Sequence, residues 1–445
     1  MVTILPALRQ VRKDLACHLN RSTVERLCRE RGHRWRDREL DPYATLHWFI
    51  LQVLNGNTAM NHLPHLSGQP LTASAYCQAR KRLPVKLLER LVDRFAGKLG
   101  ELQDVPRWHG HHVWTVDGSG FSMPDTTELQ AHFGQPVGQK EGCGFPVART
   151  LSLFDAEGGF LRDVIVTPLH GHDMQHVSEL HPMLAPGAIV MGDRALCSYA
   201  HLALLSQGGL HGVFRIHQRQ IVDFRPHRPT AEQAGKGHPS SRWVQRLGYH
   251  DQLVEWRKPA SPPEWMDPEQ YAQLPEHLLV REIRWRIRES KCRVREITLV
   301  TTLLDPLRYP TEEVAGLFRR RWRVEVCLKD LKITLGMDVL KGQSVDVVRK
   351  EAMVFSLVYN LVRLVMLKAA GRQKVHPFRI SFIDALRWLT PTKPSRLGLP
   401  ELVINPERPG RWEPRCIKRR MKEYDLMREP RDELRKKLKK RRKAA

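Results

Sequence analysis

Four things are scarce or missing in this 445-residue sequence, and each excludes a class of protein. No two of its eight cysteines form a C-x-x-C pair, so neither a zinc framework nor a disulfide scaffold is expected. No Gly-x4-Gly-Lys-Ser/Thr run occurs, which leaves nucleotide hydrolysis without its phosphate loop. No uninterrupted apolar run reaches the ~18 residues of a membrane span, so no transmembrane helix and no membrane partner are expected. The N-terminus, MVTILPALRQVRKD, opens apolar and turns basic, the reverse of a secretory signal, and the protein is expected in the cytoplasm. Acid is the fourth shortage. Asp plus Glu number 48 against 73 Lys plus Arg, a formal net charge of +25. A folded chain repels itself at that imbalance, and nucleic acid is the polyanion that best relieves it. A soluble basic protein of the ribosomal kind is the alternative.

The chain divides by pattern into five stretches. Residues 1–105 read as a helical, basic module suited to contacting DNA, with Leu83, Leu87, Leu88, Leu91, Val92 and Phe95 at helical spacing. Residues 106–216 read as strand, strand, strand, helix, strand, helix, strand. The strands are His112–Val116, Arg149–Phe154, Phe160–Thr167, Ala188–Met191 and Gly212–Ile216, and that order predicts an α/β fold, a mixed sheet flanked by helices. Residues 217–295 read as a β-rich insertion, with a Pro-, Gly- and His-rich loop at 227–239. Residues 296–370 return to the main sheet and continue into a helix over Thr311–Leu335 and another over Val347–Ala370. Residues 371–445 form a basic C-terminal region. Its last stretch, 406–445, holds 17 basic and 7 acidic residues and reads as a disordered tail, with or without a specific partner.

Two aspartates follow strands. Asp117 comes after Val-Trp-Thr-Val and before Gly-Ser-Gly, and Asp193 ends Ile-Val-Met-Gly. Acids leaving neighbouring strands converge at one edge of a sheet, where they repel unless a cation lies between them. Mg²⁺ suits such a site because it takes oxygen ligands and leaves room for phosphate. The plainer reading is that each aspartate forms a turn or caps a helix.

The Thr311–Leu335 helix carries a charged stripe. Phe318, Arg321, Glu325 and Lys332 are spaced to share one face. A solvent-facing ladder of ion pairs would look the same, but Val314, Leu317, Val324, Leu328 and Leu331 require this helix to pack on something.

The spacing Phe318-x2-Arg321-x3-Glu325-x6-Lys332 resembles the Tyr-x2-Arg-x3-Glu-x6-Lys signature of the transposases of insertion-sequence family four, bacterial DDE enzymes. Val116-Asp117-Gly118-Ser119 and Gly192-Asp193-Arg194 resemble the contexts of that family's first two acids. Ser74–Leu83 and Lys418–Lys422 also look like family segments. Phe318 in place of tyrosine is the one departure, and it removes a hydroxyl. The resemblance implies a ribonuclease-H-like core with a β-rich insertion between the second and third acids. It implies that Asp117, Asp193 and Glu325 are catalytic and bind two Mg²⁺ or Mn²⁺ ions. It implies that Arg321, Lys332, Trp322, Phe318 and Arg194 lie at the DNA, with core packing as the other reading of Trp322. The implied reaction is hydrolysis at transposon ends followed by attack of the freed 3′-hydroxyl on target DNA, by a homodimer on paired ends. A nuclease with the same core but no strand transfer, and a non-catalytic basic DNA-binding relative, are the alternatives.

Overall fold

The computed structural model describes residues 3–444 except 12, 37, 103–106, 139, 172, 231–237, 287–295, 391–397 and 407–428. Helices joined by short loops make up the described part of residues 5–102. Three of them matter below: α1 (Pro42–Leu54), α2 (Ala73–Arg82) and α3 (Val85–Leu102). Asp41 caps α1 by accepting from the Ala44 N–H at 2.7 Å, and Thr72 caps α2 through Ala75 at 3.2 Å. Every residue of α1 is buried, which fits its mostly apolar sequence, and the buried polar side chains are bonded, Gln52 Nε2 donating to Thr58 O at 2.9 Å.

Nine strands then form one sheet. They are β1 (Val113–Ser122), β2 (Val147–Asp155), β3 (Leu161–Pro168), β4 (Ile189–Gly192), β5 (His211–Arg215), β6 (Ser241–Gly248), β7 (Asp251–Arg257), β8 (His277–Arg286) and β9 (Glu296–Thr301). Their order is β3-β2-β1-β4-β5-β9-β8-β7-β6. β1 pairs antiparallel with β2 and parallel with β4, and β4 pairs parallel with β5. Helix α4 (Tyr199–Gln207), capped by Ser198, links β4 to β5.

The far half of the sheet holds the stretch that reads as a β-rich insertion. β9 does return, pairing antiparallel with β5. However, β8, β7 and β6 extend the same ladder outward from it. β6 is absent from the sequence-based expectation. It is an edge strand whose Arg242, Gln245 and Arg246 face solvent, so its sequence has no apolar alternation to show. β1 is longer than expected and runs five residues past Asp117.

Helices α5 (Thr311–Arg320) and α6 (Arg323–Lys329) replace the single predicted helix, and a π-helical turn at Asp330–Thr334 follows them. α7 (Val345–Gln373) is 29 residues long and buried along most of its length. By length and composition alone α7 would cross a membrane, but it lies inside this fold, against α1, α3 and β3. The sheet therefore has two covered faces. One carries Trp114, Val116, Leu151, Val190 and Phe214 into a core shared with α7 and the N-terminal helices. The other carries Val113, Ile189, Met191 and Val213 against Val314, Leu317 and Phe318 of α5.

The tail is also corrected in part. Residues 431–444 form helix α8 (Arg431–Ala444), whereas the Lys418–Lys422 segment lies outside the described residues.

Candidate active site

Strand alternation decides where the two aspartates point. Val113 and Ile189 are partners across the β1–β4 pair, as are Thr115 and Met191. Val113, Ile189 and Met191 all face α5. Two further residues along each strand reach Asp117 and Asp193, so both fall on that face and level with one another. Asp117 is not at a strand end, since its neighbours continue pairing with β2 as far as Ser122. Gly118 leaves room on the opposite face: a Cβ on it would stand 2.7 Å from the Asp173 carboxylate, which would have to shift. Asp193 does leave its strand. Its Oδ1 accepts from Ala195 N–H at 2.8 Å, so it also serves as the cap of a short 3₁₀ turn.

The third acid comes from the break between α5 and α6. Here the backbone tightens into three-residue hydrogen bonds, Arg321 N to Phe318 O at 3.0 Å and Val324 N to Arg321 O at 3.0 Å. Neither glycine nor proline is present to cause the break. It turns the Arg321 guanidinium between two carboxylates, with NH1 3.7 Å from Asp117 Oδ2 and NH2 3.5 Å from Glu325 Oε1. Arg321 is buried, and its Nε has no hydrogen-bond partner among the described residues. Glu325 is half exposed.

Asp117 reports the crowding. Its pKa is pushed up to about 6, first by burial and then by the charges of Asp193 and Glu325, against the opposing effects of Arg321 and the Gly118 N–H. Among the described residues, no three acidic, His or Cys side chains stand close enough to enclose a metal ion. The donor chemistry nevertheless fits a hard divalent cation. All three groups are carboxylates, the charges of Asp193 and Glu325 both raise the Asp117 pKa, and a guanidinium already sits where positive charge is wanted.

The remaining predicted residues scatter in role. Lys332 lies on the π-turn, half-buried, its pKa lowered by burial and partly restored by Asp338. Trp322 is 55% exposed, which excludes core packing, and the Arg321 guanidinium lies 5.2 Å from its ring centroid. Phe318 is buried under the sheet with Val314 and Leu317. Phe318, expected to share one face with Arg321, Glu325 and Lys332, therefore lies beneath the site rather than at its surface. Arg194 is engaged elsewhere, donating to Gln218 Oε1 at 2.9 Å.

Sequence reading misses Glu157. It stands in the β2–β3 turn and accepts from Arg320 at 2.6 Å and Arg323 at 3.2 Å, with His376 Nε2 3.3 Å away. Arg320 and Arg323 are the residues on either side of the break. Burial alone would raise the Glu157 pKa, but His376 and the two arginines outweigh it and bring it down to about 2. The run Arg319-Arg320-Arg321-x-Arg323 is the available signal, because so many adjacent cations on a packed helix need acids brought from elsewhere.

Residues 108–361 match the family described as Transposase DDE domain. The chain is 23% identical over 455 residues to the transposase InsG for insertion sequence element IS4 of Escherichia coli K12, covering 95% of this chain and 96% of that one. Among solved structures it is similar to the piggyBac transposase in a synaptic complex with hairpin DNA. There the TM-score is 0.45 and the identity 9%, with 88% of this chain and 80% of that chain covered.

Proposed function

The chain belongs to the DDE transposases, on the side of the family that insertion-sequence family four represents, and we propose that it cleaves transposon ends and joins the 3′-hydroxyl to target DNA. The observation that carries this reading is the meeting of Asp117 and Glu325 at Arg321, with Asp193 level with Asp117 on the same face. Asp117, Asp193 and Glu325 would hold two Mg²⁺ or Mn²⁺ ions. When bound, such ions polarise a scissile phosphate and neutralise the charge on the leaving oxygen. Arg321 balances the carboxylates and is placed to meet a phosphate oxygen with its fork. Lys332 supplies a second cation for the DNA backbone, and Trp322 an exposed ring on which an unpaired base would stack. Arg194 and Phe318 are the lesser members, one turned to Gln218 and one supporting the helix from beneath.

Support for a ribonuclease-H-like core is the order β3-β2-β1-β4-β5, a three-stranded antiparallel meander beside two parallel strands. The N-terminal helices are assigned to DNA contact and the working form to a dimer on paired ends, in the bacterial cytoplasm.

The test is cleavage of a duplex bearing the inverted repeats that flank the gene, with and without Mg²⁺. Asp117→Ala, Asp193→Ala and Glu325→Ala should each abolish cleavage and keep DNA binding. Full cleavage by any one of them overturns the triad. Cleavage without joined product reduces the reading to a nuclease.

A further inference from the structure

Helix α8 has almost nothing of the described protein around it. From Asp432 to Arg442 every side chain is exposed. Its first residue is what ties it to the sheet, and that tie is elaborate. Arg431 Nε is 3.2 Å from Asp125 Oδ2, NH1 donates to Gly144 O at 2.8 Å, and the guanidinium lies 4.4 Å from the Phe145 ring centroid. The backbone N–H of Arg431 adds a bond to Gly142 O at 3.2 Å. Asp125 and Gly142–Phe145 belong to the connection between β1 and β2. The helix is therefore rooted on the loop that continues the strand of Asp117, at most ~27 Å of extended chain away from it.

Its charge is one-sided. Between Arg435 and Arg442 there are seven Lys or Arg residues and one leucine. Arg435 has Asp432 at 3.2 Å and Lys437 has Glu429 at 2.7 Å. Lys436, Lys439, Lys440, Arg441 and Arg442 have no carboxylate partner among the described residues. Arg435 and Lys439, Lys436 and Lys440, and Lys437 and Arg441 are like-charged pairs four apart, each of which opposes the helix. A helix of 14 residues without a packing face is marginal in water even before that repulsion. At 100° per residue the cations cover most of the circumference and leave only the narrow strip of Leu434 and Leu438, two exposed leucines that are too little apolar surface for a stable protein interface. A second copy of this chain would bring a second positive helix.

We propose that α8 is a DNA-binding arm that inserts between two rows of phosphates and holds duplex DNA with little regard to sequence. Its length is ~21 Å, and the major groove admits a helix flanked by phosphate on both sides. Residues 431–444 contain no Asn, Gln, Ser or Thr, so base-edge contacts are limited to arginine or lysine on guanine, and most of its many cations are left for phosphate. Backbone charge, which every sequence offers, is what it recognises. Sequence-independent grip suits the target duplex rather than the transposon end. That last assignment rests on the transposase reading; the DNA-binding role does not.

The test uses the full-length protein and a 30-base-pair duplex of unrelated sequence, with affinity followed by fluorescence anisotropy from low to moderate KCl. In the combined variant Lys436→Gln, Lys439→Gln, Lys440→Gln and Arg441→Gln, affinity should fall at least tenfold at low salt. The slope of log affinity against log salt should flatten by up to ~3–4 units, about 0.9 for each phosphate that is no longer neutralised. The charge-keeping variant Lys436→Arg, Lys439→Arg and Lys440→Arg should keep the wild-type slope, which separates charge from misfolding. An unchanged slope in the glutamine variant overturns the proposal. So does a change in its oligomeric mass without DNA and without a change in slope, which would assign α8 to a second copy. The binding assay needs no cleavage, so a protein that fails to cut DNA would fail the transposase reading and still leave this result readable.

Discussion

Arg321 and Asp117, 204 positions apart in the chain, meet with 3.7 Å between guanidinium and carboxylate, and Glu325 shares the same guanidinium. The cation is what allows the acids to stand together on one face. Arg321→Ala should lower the melting temperature in chelator, at a cost of about 1–3 kcal/mol from unrelieved carboxylate repulsion and the absence of a buried partner. Millimolar Mg²⁺ should recover part of that loss. Calorimetry with and without the metal checks it, and an equal loss in both would show that Arg321 supports packing rather than the acids.

Asp117 is expected to destabilise the metal-free protein at neutral pH. Its pKa stands at about 6 in the fold against an ordinary 3.8. A raised carboxyl pKa favours the protonated fold, so its stabilising contribution is complete below pH ~3.8 and is lost as pH rises through about 6. Asp117→Asn removes the charge and should melt a few degrees higher than wild type at pH 7.5 in chelator, with cleavage abolished. A lower melting temperature would contradict the burial and crowding assigned to this carboxylate.

Glu157 works with the opposite sign. Its pKa is held down to about 2, so the stability it adds is complete above pH ~4.5 and fades as pH falls from there toward 2. Glu157→Gln should cost roughly 2 kcal/mol at pH 7 and flatten the acid limb of the stability profile. Denaturant titrations at pH 7 and pH 3 give the comparison. The two proteins should differ less at the lower pH.

Trp322 offers a separation of stability from function. It is largely exposed, so Trp322→Ala should change stability by no more than ~0.5 kcal/mol. If the ring stacks on a base at the cleavage site, the same change should weaken end binding or cleavage by ten- to a hundredfold, the equivalent of ~1–3 kcal/mol. Parallel melts and cleavage rates test this, and unchanged rates would remove Trp322 from the DNA interface.

The sequence makes some of this arrangement visible and hides the rest for physical reasons. Arg321 and Glu325 are legible because partners four apart on a helix need no information from elsewhere. Asp117 and Asp193 are legible as acids after apolar runs, and the level parallel pairing of β1 and β4 accounts for their convergence. The break after Arg320 is not legible. It lacks glycine and proline, and the acid that clamps it, Glu157, comes from a turn 163 positions earlier. The length of β1 is hidden by Gly118 and Gly120, which read as strand breakers. Both are crowded in the strand, Gly118 by the Asp173 carboxylate and Gly120 by the Ala148 carbonyl. The helix at 431–444 is hidden by its own charge, which in sequence terms describes an unfolded tail.

The burial of α7 places the interior of this protein on a timetable. Residues 85–102 and the β3 edge are made early by the ribosome, yet the surface that covers them is Val345–Gln373. Until that helix is delivered, the N-terminal helices and the strand of Asp117 face water with much of their apolar area bare. The loop that must close is long, and pairings across such separations form slowly. A chain interrupted before residue 373 therefore has all three acids and no finished interior to hold them. The interior that holds them closes only once residue 373 has been made, so the site is assembled late in synthesis.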